Sequence, residues 1–320
     1  MVSTSLNYAE MKDLFGDRIM FNVPLARYTT ARVGGTADAL LTVRSKTELV
    51  EVVTKLWMHE TPFVLLGGGS NVLISDKGIR GVVIHNRAQR IRFDLDANPP
   101  RVWAESGANL GLMARKAAQY GLSGLEWAAG IPGTLGGAIV GNAGAHGKDI
   151  AEMLLLAEIL HHNCLDGFPT SKAIDSWGIE TWTMDRFEFG YRRSSLKDAK
   201  CEHIVLTAVL LLEASTPQQV KERMDEFKVY RKRTQPTGAS IGSMFKNPSG
   251  DFAGRLIEAA GLKGTRIGGA EISPKHANFF INHGHATAED ILKLIQLAQK
   301  EVARKFDVNL ELEIELLGEW

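Results

Sequence analysis

The sequence predicts an α+β or α/β protein built from more than one compact unit, and three observations carry this. Segments of helical period and segments of strand type alternate along the whole chain. The length of 320 residues suits two or three units at about 100 to 200 residues each. A smaller C-terminal unit is expected to start near residue 215, and no internal repeat or low-complexity tract interrupts the alternation.

Ser45-Lys-Thr-Glu48 is a capping-box pattern, and Leu49, Val52, Val53, Leu56 and Trp57 behind it share one helical face. A short apolar strand, Thr61 to Leu66, follows at once and runs into Gly67-Gly-Gly-Ser-Asn-Val-Leu73. Val82 to Ile84 and Arg101 to Ala104 read as strands, and Asn109 to Tyr120 as a helix stopped by Gly121. Met153 to His161 and His203 to Glu213 read as strands around a weakly patterned middle, Asn163 to Glu180. Gln218 to Arg233, Ala253 to Ala260 and Thr287 to Phe306 read as helices, the last capped by Thr287. Val308 to Leu317 is expected to form one closing strand, with Glu311, Glu313 and Glu315 on one face.

Lys plus Arg and Asp plus Glu both total 37, so no global field favours nucleic acid or an anionic membrane, and an anionic ligand must be met locally. The two cysteines, Cys164 and Cys201, are too sparse for a secreted disulfide framework, and a single bridge between them stays open. The first residues lack a basic-then-apolar leader, and the longest apolar run, Ile204 to Leu212, is about half a membrane span. A cytoplasmic protein is expected.

Consecutive glycines after a strand expose backbone N–H groups and make a pyrophosphate cradle, a role that suits Gly67, Gly68 and Gly69 with Ser70, Asn71 and Val72 beside them. A tight turn is the competing account of that loop alone. The second segment is denser: Gly130, Gly133, Gly136, Gly137, Gly141 and Gly144 recur among Ile131, Pro132, Thr134, Ala138 and Asn142. An ordinary core helix would lose up to about 1 kcal/mol at each such glycine, so close approach to a large flat ligand explains it better. Neither segment has the P-loop or the dinucleotide-fold spacing.

Thr30-Ala-Arg-Val-Gly-Gly35, Leu66 to Leu73, Gly130 to Gly137, Phe189-Gly-Tyr-Arg192, Gly242-Ser-Met-Phe-Lys-Asn-Pro248 and Ser273-Pro-Lys-His-Ala-Asn278 together resemble the UDP-N-acetylenolpyruvoylglucosamine reductases. The resemblance spans nearly the whole chain in the family's order. It implies an α+β protein with a two-part FAD-binding region of the vanillyl-alcohol-oxidase type (1–84 and 85–214) and a smaller α+β substrate domain (215–320). The implied reaction is reduction of UDP-N-acetylglucosamine enolpyruvate by NADPH through FAD, in peptidoglycan synthesis; a monomer is expected, although the sequence does not fix the oligomeric state.

By the same resemblance, both glycine segments and Arg32 attend the FAD. Ser243 falls on the family's proton donor, Arg192 on the cation that meets the substrate carboxylate, and Glu313, aligned by Gly318, on the catalytic glutamate. An isolated serine would more often cap a turn, and three alternating glutamates more often face solvent. The family often has arginine two residues after that glutamate, where this chain has Glu315, which leaves the partner of Glu313 open. Tyr191, Lys246 and Asn247 are candidates for anchoring substrate or nicotinamide, Arg231 and Gln235 for outer support, and Arg193 for the surface. The short interval from Arg192 to Ser243 indicates the family's short form.

No metal is expected: His161, His162, Cys164, Cys201 and His203 match no zinc spacing, and His276, His283 and His285 read as structural or loop residues. Two rivals stay open. Another FAD-dependent oxidoreductase of the superfamily would share the glycine segments without Ser243 and Glu313, and an inactive nucleotide-binding regulator would not need the three polar residues at all.

Overall fold

The structure, a computed structural model, describes residues 6–162, 164–165, 168–169, 177–198 and 202–320. Most of the weakly patterned middle, and the side chains of Cys164 and Cys201, lie outside the described residues. The chain opens with helix α1 (Tyr8–Phe15), strands β1 (Ile19–Pro24) and β2 (Thr36–Val43), and helix α2 (Lys46–Met58). Ser45 accepts the Glu48 N–H as the pattern predicts, and the apolar face of α2 is buried. Strands β3 (Phe63–Leu66), β4 (Val72–Ile74) and β5 (Ile79–Asn86) follow, and four strands pair in the order β1-β2-β5-β3, with β5 parallel to both neighbours.

A second sheet of five antiparallel strands holds Trp177–Thr183, Leu154–His162, Glu202–Leu211, β7 (Arg101–Glu105) and β6 (Ile91–Asp94) in that order. Helices α3 (Leu110–Gln119) and α4 (Leu135–Val140) cover it from the core side, burying Met113, Ala114, Leu135 and Ile139. The two sheets share α2: Leu49, Val53 and Leu56 join one apolar cluster with Leu41 and Val82 on one side and Leu160, Ile204 and Leu206 on the other. After α5 (Ser195–Asp198) and α6 (Pro217–Thr234), helices α7 (Ala253–Ala259) and α8 (Ala288–Phe306) pack on a three-stranded sheet of Arg266–Ile267, Ala270–Ile272 and Phe280–Asn282. Ala31, Val33 and Leu73 of the first unit belong to that same core.

One expectation fails. Val308 to Leu317 is not a continuous strand: only Glu315–Leu317 is, and it lies parallel to β4. Before it, the chain pairs elsewhere, with Leu312 opposite Phe245. Lys246 donates its backbone N–H to Glu311 O and Glu313 its own to Met244 O, both at 2.9 Å, and then Glu315 N–H turns to Asn71 O at 2.9 Å. Changing ladders at Glu313 breaks the two-residue period, so the three glutamates do not share a solvent face. The Glu311 side chain is 76% exposed, whereas that of Glu313 is 19%.

Candidate active site

The two glycine segments meet. Gly67 lies so close to Thr134 that an added Cβ would stand 2.5 Å from its Oγ1, and one on Gly68 would stand 3.3 Å from Gly133 Cα. Ser70 Oγ donates to Pro132 O at 3.1 Å, across 62 residues. Gly69 takes φ +59°, where a side chain would also strike the Tyr28 carbonyl. Beside the joined loops lies a cleft of about 550 Å³ lined by Gly67, Gly68, Gly133 and Thr134 together with Tyr28, His85 and Arg87. Wall atoms packed backbone to backbone, with glycine required for the packing, suit the pyrophosphate and flat ring system of FAD.

Several expected cofactor residues serve the cleft indirectly. Thr134 is the N-cap of α4 without a capping bond from its side chain, and α4 is tied to the sheet by Gly136 N–H to Ser106 O at 2.8 Å. The Asn142 amide is taken up by Asp149, Gly190 and the Ala151 N–H, which fixes the turn leading to Gly144. Arg32, at φ +56°, is exposed, and the Ala31 and Arg32 carbonyls both accept from Asn282 Nδ2. It therefore stands where the first unit meets the C-terminal one.

The three polar residues singled out in the sequence come from three distant segments. Arg192 sits at φ +56° in a tight turn closed by reciprocal Gly190–Arg193 backbone bonds, leaving Arg193 exposed. Its Nε donates to Glu313 Oε1 at 2.8 Å, across 121 residues, and its Nη atoms donate to Gly144 O at 2.8 Å and Asn142 O at 3.4 Å. Glu313 is thereby given a partner, while Glu315 pairs with Lys197 at 3.5 Å. Ser243 precedes Met244, whose carbonyl holds the Glu313 N–H. The Ser243 segment is fixed by Asn278, which accepts from Phe245 N–H, donates to Phe245 O, and offers its own carbonyl to Met244 N–H.

Tyr191 Oη accepts the Asn247 N–H at 3.4 Å, and Asn247 Oδ1 in turn accepts Ala253 N–H at the start of α7. Lys246 reaches Glu311 at 3.4 Å. Sequence reasoning gave Arg231 and Gln235 only outer roles, yet both line a second cleft of about 650 Å³ with His146, Arg233, Lys275 and His276. Among the described residues no carboxylate lines it. Burial presses the Arg231 guanidinium below its usual pKa, and its side chain lies against Gly130, where an added Cβ would stand 3.1 Å from Nε. Such a cleft concentrates positive potential where nothing in the wall neutralises it. Among the described residues no group of His, Cys, Asp and Glu is placed to hold a metal ion.

Comparison with known proteins agrees with this geometry. Residues 37–163 match the FAD binding domain family, and residues 234–317 match the C-terminal domain of UDP-N-acetylenolpyruvoylglucosamine reductase. The chain is 40% identical over 310 residues to UDP-N-acetylenolpyruvoylglucosamine reductase of Chloroflexus aggregans, covering 96% of this chain and 100% of the relative. It is 39% identical over 310 residues to that of Bacillus subtilis, covering 97% of each. A crystal structure of the Thermus caldophilus enzyme superposes with a TM-score of 0.74 at 37% identity, over 92% of this chain and 97% of the other. With both halves matched and the similarity running through the tail that carries Glu313, the chain belongs to the UDP-N-acetylenolpyruvoylglucosamine reductase family.

Proposed function

We propose that this protein reduces UDP-N-acetylglucosamine enolpyruvate to UDP-N-acetylmuramate with NADPH, through bound FAD, in peptidoglycan synthesis. The observation that carries the reading is the Arg192–Glu313 pair, at 2.8 Å, standing on the carbonyl of Gly144 and beside the Ser243 segment. Gly67, Gly68, Gly133 and Thr134 would hold FAD in the glycine cleft, and the bound flavin would supply hydride transfer from NADPH to the methylene carbon of the enolpyruvyl group.

The protein's own residues handle charge and the proton. Hydride addition at the methylene carbon drives electron density onto the adjacent carbon and its carboxylate. Of the five N–H groups of a guanidinium, Arg192 commits three in the bonds above, leaving two to meet that carboxylate. Glu313 and the two carbonyls hold the guanidinium's plane, so little reorganisation is required as charge develops. The Ser243 hydroxyl then gives its proton to the carbanionic carbon and regains one from water. A serine is a weak acid, and only a strongly basic acceptor makes the transfer favourable. Arg231, Arg233 and Lys275 in the basic cleft anchor the diphosphate, and Tyr191, Lys246 and Asn247 serve as further anchors for substrate or nicotinamide.

Among the described residues no helix is long and apolar enough to cross a membrane. The proposal places the enzyme in the cytoplasm as a monomer, and its balanced charge gives it no general attraction to nucleic acid or membrane surfaces. The test is anaerobic absorbance of the purified protein. A bound flavin spectrum should bleach with NADPH and return stoichiometrically on adding the enolpyruvyl nucleotide. A flavin that bleaches and does not return would point to a different acceptor, and protein that binds no flavin after reconstitution would overturn the reading.

A further inference from the structure

We infer that Asn71 is a positioning residue that acts through Glu313, tying the register of the catalytic carboxylate to the glycine loop that cradles the cofactor; this rests on the role proposed above for Glu313. Glu313 is held at three points. Its side chain meets Arg192 at 2.8 Å, its backbone N–H meets Met244 O at 2.9 Å, and its backbone carbonyl accepts Asn71 Nδ2 at 3.1 Å, across 242 residues. The first two contacts fix Glu313 relative to Arg192 and the Ser243 segment. Only the third comes from the glycine loop, Gly67 to Asn71.

Asn71 makes that link in both directions, since its own carbonyl accepts the Glu315 N–H at 2.9 Å. The tail is gripped on either side of Ile314, at the point where it leaves one ladder and joins β4. A chain changing partners has no regular ladder to set its register, and the side-chain amide supplies the missing bond at that position. Among the described residues the Asn71 amide nitrogen has no other acceptor. A loss of this bond leaves the Glu313 carbonyl unsatisfied in a partly buried place and lets the carboxylate drift relative to Arg192. A displacement of about 1 Å in a catalytic group is enough to cost on the order of 100-fold in rate.

The test is a double-mutant cycle on the holoenzyme, following reoxidation of reduced flavin by saturating enolpyruvyl nucleotide in a stopped-flow instrument. Asn71→Ala is expected to slow that step about tenfold in the wild-type background and by less than about twofold in Glu313→Gln, because the group it acts through is already gone. Losses that multiply in the double variant would overturn the inference. So would a rise in the FAD dissociation constant, measured by flavin fluorescence on the apoenzyme, large enough to account for the slowing.

Asn71→Asp keeps the shape and sets an oxygen against the Glu313 carbonyl, so it guards against an alanine variant that fails to fold. Its reoxidation rate should be low at neutral pH and recover relative to wild type as the new carboxyl is protonated and again becomes a donor. A flat ratio to wild type across that range would count against the assignment. Wild-type enzyme that binds FAD and does not turn over would overturn the functional reading and this inference together. Turnover in the wild type with multiplying losses overturns the inference alone.

Discussion

Gly67→Ala isolates the contact between the two glycine segments. The new Cβ would stand 2.5 Å from Thr134 Oγ1 and 3.3 Å from its Cγ2, about 1 Å inside ordinary van der Waals separation for the nearer atom. Gly67 has an ordinary backbone conformation, so the substitution acts through this overlap and not through φ. Overpacking by one carbon costs typically about 1–3 kcal/mol, and relief requires the two glycine segments to part. If the cost falls on the liganded form, FAD binds roughly 5- to 150-fold more weakly, at about 1.4 kcal/mol per decade. The assay is titration of the apoenzyme with FAD, followed by quenching of flavin fluorescence. Thr134→Ala removes the offending atoms and leaves its Cβ at 3.5 Å, and its hydroxyl makes no capping bond to α4. The double variant should therefore bind FAD as Thr134→Ala alone does. Wild-type affinity in Gly67→Ala, or a double variant as weak as the single glycine variant, would refute the cradle.

Ser243→Ala should confine its damage to the second half-reaction, slowing reoxidation by the enolpyruvyl nucleotide by roughly 10²–10⁴ in anaerobic stopped-flow; normal turnover defeats the proton-donor assignment. Asp76, in the loop after β4, accepts the Ala288 and Glu289 N–H groups at 2.9 Å each and so caps α8 from another unit. Asp76→Ala should cost about 1 kcal/mol in urea denaturation, and an unchanged midpoint would mean that water replaces the cap. His85 lines the cofactor cleft, and burial first, then Arg87 and Arg44, hold its pKa below the ordinary value. Since the native state favours the neutral ring, stability is full above the ordinary pKa of about 6.5 and declines as pH falls from there to the lowered native value. His85→Gln should flatten that part of the apoenzyme's stability curve, and an identical pH slope in the variant would exclude His85 as its source.

What was legible in the sequence had local causes. Helices α2 and α8 announce themselves because Ser45 and Thr287 sit where a cap is needed, and Thr287 and Asp290 form a reciprocal capping box. The glycine segments stand out because so many glycines would be costly without a close contact, and at Gly67, Gly68 and Gly133 that contact is with the other segment. The ends of strand Leu154–His162 and helix α6 differ from expectation by a residue or so, as fraying termini do. Residues that act at long range left no such trace. Asn278 holds the Ser243 segment from 33 positions away, Asn282 holds the Ala31 carbonyl from 251 away, and Asp76 caps a helix 212 residues on. In sequence none of them sits in a capping pattern or a period that marks its distant partner. The tail misled for the same reason: an alternating pattern is diagnostic only while the chain stays in one ladder, and the switch of partner at Glu313 depends on where β4 lies.

Glu315 raised the question of whether this chain, lacking the arginine that often stands there in the family, can hold Glu313, the glutamate proposed to act in catalysis. Relative strengths of the neighbouring ion pairs answer it. The Lys197–Glu315 contact spans 3.5 Å with Glu315 46% exposed, a range in which such pairs contribute at most about 1 kcal/mol. Glu313 instead faces Arg192 at 2.8 Å with both side chains less than a quarter exposed, and the same guanidinium is fixed by two backbone carbonyls. Its register comes from backbone bonds to Met244 and Asn71, which no side chain at position 315 supplies. Residue 315 is thus free to change sign without moving Glu313, because what holds Glu313 lies on other segments of the chain.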